Sequence, residues 1–257
     1  MLPFILLLVS HMVQPQQIRF HENPVIAHRG AWKKNNLPEN SIASLREAIR
    51  LKCTGTEFDI RMTADEVLVV NHDPDYHEMA IEKTNYSELA NVRLSNGEPL
   101  STLENYLLEG MKENPGTRLV LEIKPSPAGV DRGRQIAKRV VDLVHKLNAG
   151  AWATYISFDL EVLRTVRALD PQATTQYLNG ELSPGQLKQD GVSGLDYHFN
   201  VFKKNPGWIV EAKKNKQTLN AWTVNTTEDL DWFITRSFDF ITTNEPELLF
   251  NILKSRP

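Results

Sequence analysis

The amino-acid sequence predicts an α/β protein built around a parallel sheet. Short apolar runs typical of strands alternate with longer segments whose apolar residues recur at helical spacing, a pattern that favours parallel α/β folds. The chain has 257 residues, a length that suits one domain with a substantial core. Several strand-like runs end in charged residues, at the sheet edge where such proteins usually bind ligands.

Nine strand-like and eight helical segments follow one another along the chain. The predicted strands are 25–28, 55–61, 67–72, 118–124, 154–158, 173–178, 192–197, 218–224 and 239–242. The predicted helices are 40–51, 101–113, 130–148, 159–168, 184–189, 206–215, 227–235 and 246–254. We expect a capping residue at Asn40 and a capping box over 101–104.

The first strand runs into a group of polar residues. The apolar residues 25–27 are followed by His28, Arg29 and Gly30, and the glycine permits a sharp turn of the backbone. A strand end is where α/β folds place ligand-binding side chains. Taken alone, the motif fits a structural histidine beside a surface arginine equally well.

The second strand carries two carboxylates at alternate positions. Side chains alternate along a strand, so Glu57 and Asp59 share one face while Phe58 and Ile60 share the other. Burying two neighbouring carboxylates is costly unless a cation compensates, and oxygen ligands suit Mg²⁺ or Ca²⁺ better than zinc. The alternative, a solvated face of an edge strand, is weakened because the apolar face also needs cover.

The third strand-like run, which ends in His72 and Asp73, follows the second after only residues 63–66. A parallel crossover needs about a dozen residues, so an antiparallel hairpin-like return is the simpler geometry. With the turn centred near Ala64 and Asp65, we expect His72 to pair with Glu57 and to share its face. Asp73 either orients His72 or caps the next element.

The strand at 118–124 adds a third carboxylate and a cation. Glu122 and Lys124 lie on one face of this otherwise apolar strand. Glu122 suits a metal ligand set, and Lys124 supplies positive charge for an anion. On this segment alone, a simple ion pair between the two is the favoured interpretation.

Together these segments resemble the glycerophosphodiester phosphodiesterase family. The family pattern is HRG, PEN followed by Ser or Thr, E-x-D, HD and E-x-K, found here at 28–30, 38–41, 57–59, 72–73 and 122–124. Further likenesses lie at 99–104, 156–158, 221–225 and 240–246, so the resemblance covers roughly residues 24–250. One departure is Asn244, where the family usually has aspartate before a proline, which makes Asn244 a poor candidate for any role carried over from the family.

The resemblance implies a (β/α)₈ TIM barrel, irregular around residues 55–72, that hydrolyses glycerophosphodiesters to glycerol 3-phosphate and an alcohol. It implies one divalent cation, Ca²⁺ or Mg²⁺, held by Glu57, Asp59 and Glu122. It implies acid/base catalysis by His28 and His72, and we assign His72 as the acid and His28 as the base. It also places Arg29 and Lys124 on the substrate phosphate.

Weaker substrate contacts are suggested by the later strands. Trp222, at the end of one of them, is a candidate for an apolar wall against the glycerol, although a barrel tryptophan more often serves packing alone. Gln176 and His198 occupy similar strand-end positions.

Two other functions stay open. A related phosphodiesterase acting on lysophospholipids or other lipid headgroup diesters would share this residue arrangement. A long apolar loop would favour such a substrate, but the only apolar stretch near the site is the brief 79–81. A non-catalytic glycerophosphodiester-binding protein would be expected to lack a histidine or a metal ligand, whereas this chain keeps all five.

The resemblance implies a small-molecule glycerophosphodiester as the partner, and the composition gives no sign of a nucleic-acid partner. The net charge is −3 with scattered lysines and arginines, so no basic patch suggests nucleic acid. The single cysteine, Cys53, excludes an internal disulfide and is expected to pack as a small apolar residue.

The N-terminal residues 1–17 are interpreted as a signal peptide for export to the periplasm or beyond, or as a cap on the barrel. Their apolar run at 3–9 has the length of a signal peptide and is too short to span a bilayer, so no stable membrane insertion is expected. Residues 18–257 form the single predicted domain. The oligomeric state is not predicted.

Overall fold

The computed structural model describes residues 18–256, in which eight parallel strands close into a barrel surrounded by helices. The barrel strands are β1 (Val25–Ala27), β2 (Gly55–Met62), β6 (Arg118–Ile123), β7 (Ala153–Ser157), β8 (Thr174–Tyr177), β9 (Gly194–His198), β10 (Thr218–Trp222) and β11 (Phe240–Thr243). β1 pairs with both β2 and β11, which closes the ring. The proposed signal or cap segment, residues 1–17, lies outside the described residues.

The longer helices that cover the barrel follow the predicted positions closely. They are α1 (Ile42–Arg50), α3 (Leu103–Met111), α4 (Val130–Lys146), α5 (Leu160–Leu169), α6 (Pro184–Gln189), α8 (Gly207–Lys214), α9 (Thr227–Thr235) and α10 (Pro246–Lys254). A short helix, α7 (Phe199–Lys204), was not predicted. Among the described residues, no helix combines the length and apolar character that crossing a membrane requires.

Two helix caps differ from their predicted positions by one residue. Ser41, not Asn40, caps α1 and forms a reciprocal capping box with Ser44. Thr102, not Ser101, caps α3 by accepting a hydrogen bond from the Asn105 amide. Ser101 is displaced from the cap because its carbonyl accepts a hydrogen bond from Val70, tying this segment to the neighbouring strand.

The surplus strand forms the predicted hairpin, but its register was predicted wrongly. β3 (Leu68–Val70) runs antiparallel to the end of β2 and pairs Ile60 with Val70 and Met62 with Leu68. In this register the turn is centred on Asp65. Continued along the strands, it would place residue 72 opposite Phe58, one residue away from the predicted partner Glu57. β3 also ends before His72, which reaches the barrel mouth from the following bend instead.

A small insert follows this hairpin. It contains the two-residue strands β4 (Asp75–Tyr76) and β5 (Met79–Ala80), the 3₁₀ turn Ile81–Lys83 and the one-turn helix α2 (Tyr86–Leu89). Its buried apolar cluster consists of Val69, Tyr76, Ile81, Leu89 and Leu100. The insert therefore packs on β3 through Val69.

The two faces of β2 separate core packing from chemistry. Phe58 and Ile60 are fully buried in the layer between the barrel and the helices, and the Phe58 ring lies 4.5 Å from that of Tyr106. Glu57 and Asp59 therefore point into the barrel, where they are only 2 % and 1 % exposed. The edge-strand interpretation of this segment is thus wrong. Cys53 is buried as predicted.

Candidate active site

The predicted site residues converge on a cavity at the carboxyl ends of the barrel strands. The cavity has a volume of about 100 Å³. Its lining is His28, Arg29, Glu57, His72, Glu122, Lys124, Ile156, Phe158, Leu178, Asp196, Trp222, Thr223 and Thr242. Of the predicted site residues only Asp59 is missing from this lining, and it touches the lining through Lys124, whose Nζ lies 2.7 Å from Asp59 Oδ1.

The three predicted metal ligands form one buried acidic cluster. Register brings them together, because β2 and β6 pair in parallel with Asp59 opposite Glu122. Oxygen atoms of Glu57, Asp59 and Glu122 all lie within 4.8 Å of one another. Three acidic groups this close in a dry barrel strongly disfavour simultaneous ionisation.

The pKa values of the cluster show this conflict. Burial, followed by repulsion from the neighbouring carboxylates, raises the pKa of Glu57 well above its usual range. Burial and the charge of Asp59 raise the pKa of Glu122 to about 7. Burial alone would also raise the pKa of Asp59, but nearby cations led by Lys124 together lower it to about 2.

This cluster fits a hard divalent cation. Glu57 Oε1 is buried and has no hydrogen-bond partner among the described residues, while Oε2 accepts a hydrogen bond from the Arg29 amide at 2.9 Å. A cation bound by the three carboxylates would satisfy that oxygen and remove the repulsion. Carboxylate-only ligands suit Mg²⁺ or Ca²⁺.

Two cationic side chains border the cluster. Lys124 Nζ lies 2.7 Å from both Asp59 and Glu122, so the predicted ion pair on β6 exists within a larger network. The Arg29 guanidinium donates a hydrogen bond to Glu39 at 2.8 Å, and its Nε lies 3.6 Å from Asp59. Both cations also face the cavity, where an anionic ligand would meet them.

The turn after β1 places the Arg29 side chain next to the acidic cluster. Arg29 and Gly30 both have positive φ, 57° and 82°, which tightens the backbone immediately after the strand. A Cβ on Gly30 would lie 2.4 Å from Ser44 Oγ. Only glycine fits this position, which explains the third residue of the HRG motif.

Asn40 positions Asp59, one of the three predicted metal ligands, a role that the prediction of Asn40 as a helix cap did not include. Its side-chain amide donates to Asp59 Oδ2 at 2.8 Å, and its Oδ1 accepts from the Asp59 amide at 3.2 Å. The first bond holds the Asp59 carboxylate, and the second ties the Asn40 side chain to the backbone of β2. Its place in the PEN motif was the available sequence signal.

His28 is held in one orientation by Asn244, a residue discounted on sequence grounds. His28 Nδ1 lies 2.7 Å from Asn244 Oδ1. An amide oxygen only accepts hydrogen bonds, so Nδ1 carries the proton and Nε2 presents a free lone pair. That Nε2 lies 3.8 Å from Glu57. Burial, followed by the charge of Arg29, lowers the pKa of His28 to about 4.

Asn244 is itself held by a residue in the loop after β10. The backbone N–H of Asn244 donates a hydrogen bond to Asn225 Oδ1 at 2.9 Å. The His28 amide donates to the Thr243 carbonyl at 3.0 Å. Closure of β1 against β11 therefore sets the distance between His28 and Asn244.

His72 occupies the more exposed side of the cavity. Its side chain is 37 % exposed, and its Nδ1 lies 2.7 Å from Asp73 Oδ1. Arg61 donates two hydrogen bonds to the His72 carbonyl, at 3.0 Å and 2.6 Å. The structure thus gives Asp73 a contact that orients His72, and it adds Arg61, which the sequence did not single out.

The opposite wall of the cavity is apolar and aromatic. Trp222 lies there, and its ring centroid is 5.4 Å from that of Phe158. The indole Nε1 donates to the backbone carbonyl of Asp196 at 2.9 Å. Asp196 also lines the cavity and had not been singled out from the sequence.

The two other strand-end candidates lie away from the cavity. Gln176 lines a second cavity of about 520 Å³ together with Arg118 and Phe20. His198 caps α7 by accepting a hydrogen bond from the Asn200 amide, and its ring packs 5.2 Å from Trp222. A strand position alone did not reveal which side chains face the barrel mouth.

Comparison with known proteins is consistent across sequence and structure. Residues 28–248 match the model of the glycerophosphoryl diester phosphodiesterase family. A glycerophosphodiester phosphodiesterase of Caldanaerobacter subterraneus is 30 % identical over 248 residues, which cover 90 % of this chain and 97 % of that protein.

Solved structures show the same relationship. A glycerophosphodiester phosphodiesterase from Parabacteroides distasonis superposes with a TM-score of 0.88 at 40 % identity, covering 93 % of this chain and 99 % of that one. A phosphodiesterase from Oleispira antarctica, solved with its product sn-glycerol-3-phosphate, has a TM-score of 0.78 at 21 % identity and covers 91 % of this chain and 97 % of that one. At that identity the second likeness shows a shared fold.

Proposed function

The chain belongs to the glycerophosphoryl diester phosphodiesterase family, and from that membership we propose that it hydrolyses glycerophosphodiesters to glycerol 3-phosphate and an alcohol. One observation carries the proposal. Three buried carboxylates, two histidines and two cations converge at one cavity at the barrel mouth. That combination suits the cleavage of an anionic diester by proton transfer and charge neutralisation.

The acidic cluster would hold one divalent cation, with Glu57, Asp59 and Glu122 as its ligands. When bound, the cation would neutralise negative charge on the phosphate oxygens. The buried oxygen of Glu57 that lacks a partner supports this assignment. The chemistry of the ligands admits either Mg²⁺ or Ca²⁺.

Arg29 and Lys124 would bind the phosphate. Both line the cavity from the side of the acidic cluster. Each already contacts a carboxylate, so both cations are fixed in place before the substrate arrives. This preorganisation favours a phosphate at a defined distance from both histidines.

His28 would act as the base. Its Nδ1 is engaged by Asn244, which leaves the Nε2 lone pair free to accept a proton from the attacking hydroxyl. Its lowered pKa keeps the ring neutral and ready to accept that proton. The attacking group must therefore lie on the buried side of the phosphorus.

His72 would act as the acid. It lies on the exposed side of the cavity, where a departing alcohol reaches solvent directly. The contact between its Nδ1 and Asp73 orients the ring and leaves Nε2 to donate a proton to the leaving oxygen. The two histidines thus serve opposite sides of the reaction.

Within residues 18–256, no feature favours a lysophospholipid over a water-soluble diester. The apolar stretch 79–81 was the sequence feature nearest to such a preference. Ile81 is fully buried in the cluster of the insert, against Val69 and Tyr76. Its side chain is used for packing and not for contact with an acyl chain.

The decisive test is release of glycerol 3-phosphate from glycerophosphocholine by metal-stripped protein. Ca²⁺, Mg²⁺ and Mn²⁺ are added back separately to the wild type and to Glu57→Gln and His28→Ala. We expect a cation to restore activity in the wild type and both variants to lose at least about a hundredfold in kcat. Glu228→Gln, which changes an exposed carboxylate on α9, is the matched control.

Two results would contradict the proposal. Full activity after metal stripping would show that the reaction does not need a cation bound by the acidic cluster. A kcat of His28→Ala equal to that of the wild type would show that His28 does not transfer a proton in the reaction.

A further inference from the structure

Asp196 is a buried carboxyl group that the proposed reaction does not use. It lies on β9, is 1 % exposed, and lines the cavity beside the catalytic groups. The Asn220 side chain interacts with this carboxyl group, but the buried Oδ1 has no hydrogen-bond partner among the described residues. Leaving such a group without a partner costs free energy, so its place in the cavity wall points to a ligand that supplies the missing hydrogen bond.

Asp196 lies on a different strand from the groups proposed to bind the phosphate and the metal. Arg29, Lys124 and the acidic cluster belong to β1, β2 and β6, whereas Asp196 belongs to the apolar wall opposite. Within the described chain, the carboxylates close enough to share a metal are Glu57, Asp59 and Glu122, without Asp196.

The chemistry around Asp196 suits a polyol. Trp222 is attached to the Asp196 backbone by its indole N–H, so the aromatic ring and the carboxyl group keep a fixed relation. An aromatic face packs against C–H groups, and a carboxyl oxygen binds a hydroxyl. Burial, followed by the charge of Glu122, raises the pKa of Asp196 well above its usual range, and a neutral carboxyl both donates and accepts hydrogen bonds.

We propose that Asp196 selects the glycerol moiety by binding its terminal hydroxyl, with Trp222 packed against the carbon chain. The inference rests on the proposed function. Burial distinguishes glycerol from the leaving alcohol, because Asp196 is 1 % exposed whereas the side chain of His72, on the leaving-group side, is 37 % exposed. The part of the substrate common to all glycerophosphodiesters thus lies innermost, and the variable alcohol lies outside.

A matched pair of substrates isolates this contact. Glycerophosphocholine is compared with 2-hydroxypropyl phosphocholine, which keeps the hydroxyl next to the phosphate-bearing carbon and lacks only the terminal one. The readout is the ratio of their kcat/KM values in the wild type, Asp196→Ala and Asp196→Asn. Because both substrates are measured on each protein, a general loss of activity or folding cancels from the ratio.

We expect the wild type to prefer glycerophosphocholine by at least about tenfold, since a buried polar group rejects a ligand that leaves it unpaired. The ratio should fall to near one in Asp196→Ala. Asp196→Asn retains a hydrogen-bonding oxygen and should keep a ratio above that of Asp196→Ala. An equal ratio in the wild type and Asp196→Ala, or no preference in the wild type, would overturn the inference.

A binding measurement separates this inference from the proposed function. Calorimetry compares sn-glycerol 3-phosphate with 2-hydroxypropyl phosphate on the wild type and Asp196→Ala, without turnover. Selective binding by the wild type that disappears in Asp196→Ala supports the role of Asp196 even if no diester is hydrolysed. Hydrolysis of glycerophosphocholine without such selectivity supports the proposed function and refutes the role of Asp196.

Discussion

At the scale of single residues, the two histidines differ mainly in their partners. His28 is buried and contacts the neutral amide of Asn244, whereas His72 is partly exposed and contacts the carboxylate of Asp73. A neutral acceptor fixes the tautomer of a histidine without adding charge. The substitution of asparagine for the usual aspartate of the family thus suits a base that must stay neutral before it accepts a proton.

Replacing Asn244 tests this assignment. Asn244→Leu should lower kcat by roughly tenfold to a hundredfold with little change in KM, because it removes the acceptor that fixes the His28 tautomer. The ¹⁵N NMR shifts of His28 should then report a mixture of tautomers. Asn244→Asp keeps the acceptor and should keep the Nδ1–H tautomer, and unchanged ¹⁵N shifts in Asn244→Leu would refute the role of Asn244.

At the scale of elements, β2 divides stability from chemistry between its two faces. Phe58 packs toward the helices against Tyr106, and Glu57 faces the cavity one residue away. β2 continues beyond its barrel partner into the hairpin with β3, and the bend after β3 brings His72 back over the cavity. A single strand therefore carries two of the three proposed metal ligands and leads to one of the two proposed catalytic histidines.

Two substitutions at neighbouring positions on β2 should have opposite effects. Phe58→Ala removes a fully buried ring and should lower the free energy of unfolding by about 3–5 kcal/mol, measured by urea denaturation. Glu57→Gln should leave the metal-free protein at least as stable, because it removes a buried group that repels its neighbours. A marked loss of stability in Glu57→Gln would show that this carboxylate supports the fold.

At the scale of the whole molecule, closing the barrel brings three buried acidic groups together. Burial and mutual repulsion raise the pKa values of Glu57 and Glu122, so the folded, metal-free protein retains protons that the unfolded chain releases. His28 has the opposite effect, because its pKa falls from 6.5 to about 4. Above pH 6.5 the contribution of His28 to the free energy of unfolding no longer changes with pH. The carboxyl groups then determine how stability depends on pH.

The sign of the pH dependence follows from these shifts. A raised carboxyl pKa means that stability falls as pH rises through the folded value, about 7 for Glu122. We therefore expect the metal-free protein to lose stability as the pH rises from about 6.5 to 8. Urea unfolding in chelator at several pH values measures this loss, and Ca²⁺ or Mg²⁺ should abolish it. Stability that rises over this range without metal would contradict the expectation.

Local patterns in the sequence were sufficient to identify most elements and the main chemistry. Apolar periodicity located every barrel strand and the longer helices to within a few residues, and alternation along β2 separated Glu57 and Asp59 from Phe58. The hairpin was predictable because only a few residues connect its strands, although its register was not. α7 was missed, unlike α6 of equal length, because it begins directly after β9 and lacks the serine cap and first-turn proline that mark the start of α6.

The sequence by itself determined the fold class, the family and the residues of the acidic cluster, because each depends on residue types at short, fixed spacings. Only the tertiary structure decided which distant residues act on them. His28 and Asn244 are 216 positions apart and meet because β1 closes against β11. Asp196 gains its significance only from the cavity that eight strands enclose. Such contacts depend on barrel closure and side-chain direction, which no local pattern encodes.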